Sequence, residues 1–246
     1  VPAVRPLAAF PLTAKYDADW VAENALGENA LCQTESLARH LPFQAGMRVL
    51  DLGCGKATSS IFLAREFGVE VWALDKDVSP SENRQRATAL DRHSRVFPLR
   101  LDARRLPFAN EFFDAVIGID SFLYFATDER YLEYLVPFIK PHGHIGVVDI
   151  GFTREVASVA QAPEYLRPEF AKHWSYVHTL SWWRHHWEKT GLVDVLYAEL
   201  LPESNELLRD YVRDRPPAQA EDSIMRASRS DNEGLISLFC LVARKR

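Results

Sequence analysis

"VLDLGCGKATSSIFLAREFG", residues 49–68, is an apolar run that ends in a glycine loop and continues with helical spacing. The apolar stretch 47–53 has the composition of a strand buried on both faces. The helical pattern starts near Thr58 and stops at Gly68. Strand, glycine turn and helix in this order open a nucleotide-binding crossover unit, yet Thr58 stands where G-x-G-x-x-G places its third glycine. The stretch is either a phosphate loop that lacks a glycine or a complete loop for a ligand of other chemistry.

Outward from this loop the pattern repeats. Strands are predicted over 69–75, 95–102, 112–120 and 143–150, with helices over 79–90, where Pro80 falls in the first turn, and 128–139. Two short helices are expected over 18–40, interrupted at Gly27, after an irregular arm to about residue 17. Beyond 150 an aromatic-rich stretch leads to a helix over 181–191, a strand over 193–201 and a last strand over 235–245. This alternation predicts an α/β fold: a Rossmann-like, doubly wound, seven-stranded, mostly parallel sheet with a C-terminal antiparallel strand and helical insertions. The expected organisation is one domain over 1–246. Residues 1–40 form an N-terminal helical cap, 41–150 the ligand-binding core, and 151–180 and 202–234 are insertions or a lid.

At 246 residues and 47% hydrophobic, the chain is long enough for one sizeable core. A net charge of −5 argues against a protein that grips polyanionic nucleic acid mainly by charge. Three scattered cysteines (Cys32, Cys54, Cys240), outside any C-x-x-C spacing, predict neither a disulfide framework nor a structural metal. The first residues have no long apolar stretch of a signal peptide, and no run approaches ~20 apolar residues. The expectation is a soluble, cytoplasmic protein.

In an open α/β sheet, ligands meet the carboxyl ends of the strands. Here those ends carry Asp51, Gly53, Cys54 and Gly55, then Asp75 with Lys76, then Asp102 with Ala103, then Asp120. Asp75 suits ribose hydroxyls, and Asp102 suits an adenine amino group. Asp51 suits a cation and would repel a pyrophosphate. Adenine, ribose, an ammonium and a cationic centre without phosphate describe S-adenosyl-L-methionine. The runs "VLDLGCGKA", "DARRLPFANEFFDAVIGID" and "FIKPHGHIGVVDI", together with Asp75, resemble the class I S-adenosylmethionine-dependent methyltransferases, nearest to the small-molecule methylases of ubiquinone-biosynthesis and natural-product type. The resemblance covers roughly residues 40 to 150. It implies that Gly53 and Gly55 admit the methionine part, with Asp51 near its amino group. It also implies Asp75 at the ribose, Asp102 and Ala103 at the adenine, and Asp120 near the ammonium or the methyl.

Proton removal from the acceptor calls for a base. The stretch "KHWSYVHTLSWWRHHWEK" offers His178 and Tyr176 as candidate catalytic residues ahead of the helix. Trp183 and Trp187 read as its core face, and His185 and His186 as surface or helix-end residues. Leu123 stands where related enzymes carry a histidine, which removes one base from the usual place. Tyr16 is a candidate for closing the sulfonium side. The expected activity is methyl transfer by in-line displacement to an oxygen, nitrogen or carbon of a small molecule, with a second copy of the chain as a candidate partner and no metal. The alternatives are a nucleic-acid methylase, disfavoured by "DSFLY" lacking an Asn/Asp-Pro-Pro motif, and a non-catalytic subunit of the same fold. An NAD-dependent oxidoreductase is disfavoured by Thr58.

Overall fold

The computed structural model describes residues 8–26, 29–91, 94–214 and 223–246. The expected break at Gly27, the first seven residues of the arm and the centre of the 202–234 insertion lie outside the described residues. Two short helices, α1 (Ala18–Asn24) and α2 (Ala30–Ala38), precede β1 (Arg48–Leu52). The crossover units follow as α3 (Thr58–Phe67), β2 (Glu70–Asp75), α4 (Pro80–Ala89), β3 (Val96–Arg100), β4 (Phe113–Ile119), α5 (Tyr131–Leu135) and β5 (Ile139–Phe152). The chain closes with α6 (Leu180–Glu188), β6 (Val193–Leu200), α7 (Ser204–Asp214), α8 (Ser223–Ser230) and β7 (Ile236–Lys245).

The strands form one seven-stranded sheet in the order β3-β2-β1-β4-β5-β7-β6. The first five pair in parallel, and β7 runs antiparallel between β5 and β6. The run that reads as doubly buried is so: Val49, Leu50 and Leu52 are fully enclosed at the sheet centre. Pro98, which cannot donate to a ladder, lies on the edge strand β3. The order reverses between β1 and β4, so the crevice at their carboxyl ends is the topological switch point.

The arm differs from the irregular expectation where it is described. Phe10 is fully buried, and a 3-10 turn covers Thr13–Lys15. The backbone N–H groups of Leu12 and Thr13 and the Thr13 hydroxyl all donate to the buried carboxylate of Glu35 on α2. A carboxylate with three such donors fixes the arm against α2.

Candidate active site

The glycine loop is held by its neighbours. Gly53 and Cys54 donate their N–H groups to the carbonyl of Leu74 at the end of β2. Gly53 has φ +72°, and a Cβ there would lie 2.6 Å from Cβ of Ser121. Glycine is thus required both for the dihedral and for the approach of β4's end to β1's end. The Ser121 hydroxyl completes that junction by donating to the Leu52 carbonyl at 2.6 Å. The Asp75 carboxylate accepts from Gly55 N–H at 2.9 Å through one oxygen and from Asp77 and Val78 N–H through the other. Asn83 on α4 donates to the Gly55 carbonyl at 2.9 Å. Ala57 takes the left-handed conformation ahead of α3, so Thr58 begins the helix and is its first residue.

Helix α1 closes over this loop. Lys56 donates to the Glu23 carbonyl at 2.6 Å, and Arg86 bridges Asn24 and Asn83. Leu26 rests against Gly55 so closely that a Cβ there would lie 3.0 Å from the leucine Cδ1.

A cavity of about 820 Å³ opens at the switch point, within the ~300–1,000 Å³ typical of small-molecule sites. Gly53, Cys54, Gly55, Asp75, Lys76, Asp102, Ala103 and Asp120 all line it, as do Leu26 and Ala30 from the cap. The Asp102 carboxylate also accepts from Arg104 N–H at 2.9 Å, and the Ala103 carbonyl accepts from the Tyr131 hydroxyl at 3.1 Å. Asp120 has φ +51°, a left-handed conformation uncommon outside glycine, asparagine and aspartate, at the end of β4. The Cys54 thiol is pushed well up by burial and by the nearby Asp51 and Asp75 charges, so it is a neutral apolar wall.

Four expected site residues stand elsewhere. Asp51 does not line the cavity: it is fully buried, and one oxygen accepts from the hydroxyls of Ser59 and Ser60 at 2.6 Å each. Its other oxygen is buried with no hydrogen-bond partner among the described residues. Burial raises its pKa to about 6 despite the two serine hydrogen bonds, and the Asp75 charge adds to the rise. Tyr16 packs on Phe62 with ring centroids 5.7 Å apart and lies under the Arg65 guanidinium, against α3 and away from the cavity. Its neighbour Asp17 caps α1.

Tyr176 and His178 also lie off the cavity wall. Tyr176 reaches it only through Tyr124, whose ring meets it edge-on at 5.4 Å. Burial, then the Asp149 charge, raises the Tyr176 phenol pKa. His178 stacks on Trp182 at 3.8 Å, and its Nδ1 meets Glu155 Oε1 at 2.7 Å. Glu155 also accepts from the N–H and hydroxyl of Thr179, the residue that caps α6. Burial opposes ionisation of Glu155, but hydrogen bonds from His178 and Thr179 outweigh it and lower its pKa. The pair thus secures the start of α6. Trp183 and Trp187 are core residues as read, whereas His186, expected at the surface, is buried. Its Nε2 meets the Ala126 carbonyl at 3.1 Å and its ring stacks on Trp182.

The cavity residues that sequence reading did not single out come from later elements. His173 sits in a π-helical turn over Phe170–Trp174, Tyr211 on α7, and Ser223, Ile224 and Arg226 on α8. Tyr124, Phe125 and Arg104 join them from the core. The only advance signal was the aromatic and histidine density of the stretch that contains His173. Among the described residues, no three His, Cys, Asp or Glu side chains group as metal ligands do. No described helix is long and apolar enough to cross a membrane.

The chemistry of this lining fits S-adenosylmethionine. Asp75 and Asp102 offer acceptor oxygens at successive strand ends, and Cys54, Leu101, Ala103 and Phe125 offer apolar surface beside them. Asp51, with one oxygen unpartnered, leaves a negative centre two residues before Gly53.

Residues 49–143 match the sequence family described as a methyltransferase domain. Methyltransferase GfsG of Streptomyces halstedii is 30% identical over 140 residues, covering 56% of this chain and 50% of that protein. The 27-O-demethylrifamycin SV methyltransferase of Amycolatopsis mediterranei (strain S699) is 28% identical over 198 residues, covering 79% and 69%. The matched chain thus spans half to about two-thirds of these relatives' length. Among solved structures, the [4+2]-cyclase SpnF superposes with TM-score 0.70 at 19% identity, covering 88% of this chain and 82% of that one. Geranyl diphosphate C-methyltransferase from Streptomyces coelicolor A3(2), in complex with Mg2+, geranyl diphosphate and S-adenosyl-L-homocysteine, gives 0.68 at 17%, covering 89% and 80%. Over its central residues the chain is thus similar to methyltransferase domains, and it shares its fold with structures of methyltransferases.

Proposed function

We propose that this chain moves a methyl group from S-adenosyl-L-methionine to an oxygen, nitrogen or carbon nucleophile of a small organic acceptor. One observation carries the reading: a single cavity joins the strand-end carboxylates and glycine loop to an aromatic wall of Tyr124 and Phe125 from the core and Tyr211 from an insertion. The bound donor supplies an activated methyl group. In this assignment the Gly53–Gly55 backbone faces the methionine part, Asp75 accepts from the ribose, and Asp102 with Ala103 meets the adenine. Asp120, at the switch point, faces the donor's charged end, and Asp51 supports it from beneath. Tyr124, Phe125, Tyr211 and Ile224 orient the acceptor and exclude water. Alignment of this kind can contribute up to ~7–11 kcal/mol to an in-line displacement. In this assignment His173, an imidazole on the cavity wall, takes the acceptor's proton, the role expected of His178 and Tyr176.

Two coarser attributes follow the same reading. Three buried free thiols support a reducing, cytoplasmic location. Exposed Leu196 and Leu200 on the edge strand β6 support pairing with a second copy. Calorimetric titration with S-adenosylmethionine and S-adenosylhomocysteine tests the central claim. Micromolar binding is expected, and no binding by protein whose circular dichroism shows an intact fold would overturn it.

A further inference from the structure

Two cations hold the end of α1 against the glycine loop. The Lys56 ammonium, next in sequence to Gly55, donates to the Glu23 carbonyl at 2.6 Å. The Arg86 guanidinium on α4 donates to Asn24 Oδ1 at 2.9 Å and to Asn83 Oδ1 at 2.8 Å. Asn83 in turn donates to the Gly55 carbonyl at 2.9 Å. These bonds close a ring that runs from Gly55 through Asn83, Arg86, Asn24, Glu23 and Lys56 back to Gly55. Cations suit the place, because the last carbonyls of a helix carry its partial negative charge.

The ring matters because α1 has little else to hold this end. A helix of 7 residues has no stability of its own. Of α1 only Val21 and Asn24 are buried. Just beyond it, Leu26 rests against Gly55 and lines the cavity, so where α1 ends decides how the loop end of the cavity is covered.

We propose that Lys56 and Arg86 are positioning residues that latch α1 across the glycine loop, so that exchange of the donor awaits release of the latch. This rests on the methyltransferase reading above. The bonds of the ring run between protein groups, so the latch is as strong with the cavity filled as with it empty. Closure then slows entry and exit by the same factor and leaves the equilibrium affinity where it was. A residue that touches the donor behaves otherwise, because its loss changes affinity, mostly through the dissociation rate.

The test immobilises the full chain and reads association and dissociation of S-adenosylhomocysteine by surface plasmon resonance. Lys56→Met and Arg86→Gln are each expected to raise both rate constants about fivefold, as loss of a charge-assisted bond allows, with Kd within about twofold of wild type. Lys56→Arg, which keeps a charged donor, should bring both rates most of the way back. Arg86 is outside the cavity lining, so its variant carries the test should Lys56→Met fail to fold. Rate constants unchanged from wild type overturn the proposal. Faster dissociation with unchanged association also overturns it, by making the lost side chain a donor contact and not a latch. Failure of the wild-type protein to bind S-adenosylhomocysteine at all would strike the methyltransferase reading, and this proposal with it.

Discussion

The Asp75 carboxylate accepts the Gly55 backbone N–H at 2.9 Å, so the end of β2 holds the loop at the end of β1 in place. The same carboxylate takes two further backbone N–H groups and still faces the cavity. Its removal acts on loop and ligand together. Asp75→Ala is expected to cost about 1–3 kcal/mol of S-adenosylmethionine affinity and to lower the thermal midpoint, because three backbone donors lose their partner. Asp75→Asn, which keeps one acceptor oxygen, should recover most of the midpoint and less of the affinity. Calorimetry and thermal melts on the two variants separate these roles.

Gly53→Ala combines a left-handed dihedral with a clash against Ser121. A loss of roughly 1–3 kcal/mol of stability is expected from the backbone conformation alone. Adding Ser121→Gly relieves the clash and not the dihedral, so the double variant should recover only part of the loss. Urea midpoints of the two single variants and the double variant measure the coupling.

Asp51 gives a pH signature. Its folded pKa, about 6, lies above the ordinary 3.8 because burial penalises the carboxylate. Below the ordinary value both states are protonated and the site costs nothing. As pH rises through the window from about 4 to about 6, the unfolded chain ionises first and the fold loses stability. Asp51→Asn, able to accept from Ser59 and Ser60, should therefore stabilise the unliganded protein by on the order of 2–3 kcal/mol above pH 6. The gain should shrink toward zero near pH 4, and a gain independent of pH contradicts this account.

Glu155→Ala removes the acceptor of the Thr179 and His178 hydrogen bonds at the head of α6. The expected loss is about 1 kcal/mol, as for a lost helix cap. Affinity for S-adenosylhomocysteine should not change, because neither residue lines the cavity. His178→Ala behaving in the same way would mark His178 as structural. A selective loss of turnover would restore it as a base.

The strand-end side of the cavity was legible because its signals are local. An apolar run, two glycines and an aspartate at the next strand end lie close together in sequence, and a parallel sheet brings strand ends together by construction. The side-chain direction of Asp51 is not carried by the sequence: it precedes the loop but turns under it, toward Ser59 and Ser60. The side lined by the later segments was not legible, because the facing of an insertion is set by packing and not by period. His173 and His178 are five residues apart in one aromatic stretch, and the π-helical turn at Phe170–Trp174 places the first on the cavity wall. The second goes to a stack on Trp182. Tyr16 was likewise decided by contacts distant in sequence, with Phe62 and Arg65.

Strand β7 is zipped to β5 from His144↔Arg244 to Phe152↔Ile236, and to β6 from Val193↔Lys245 to Leu200↔Phe239. Both ladders frame the single stretch between Leu200 and Ile236, from which Tyr211, Ser223, Ile224 and Arg226 reach the cavity. The strands that bound this stretch carry none of the cavity aspartates, so replacing its described residues would rebuild the Tyr211 side of the cavity while Asp75, Asp102 and Asp120 stay on their own strand ends.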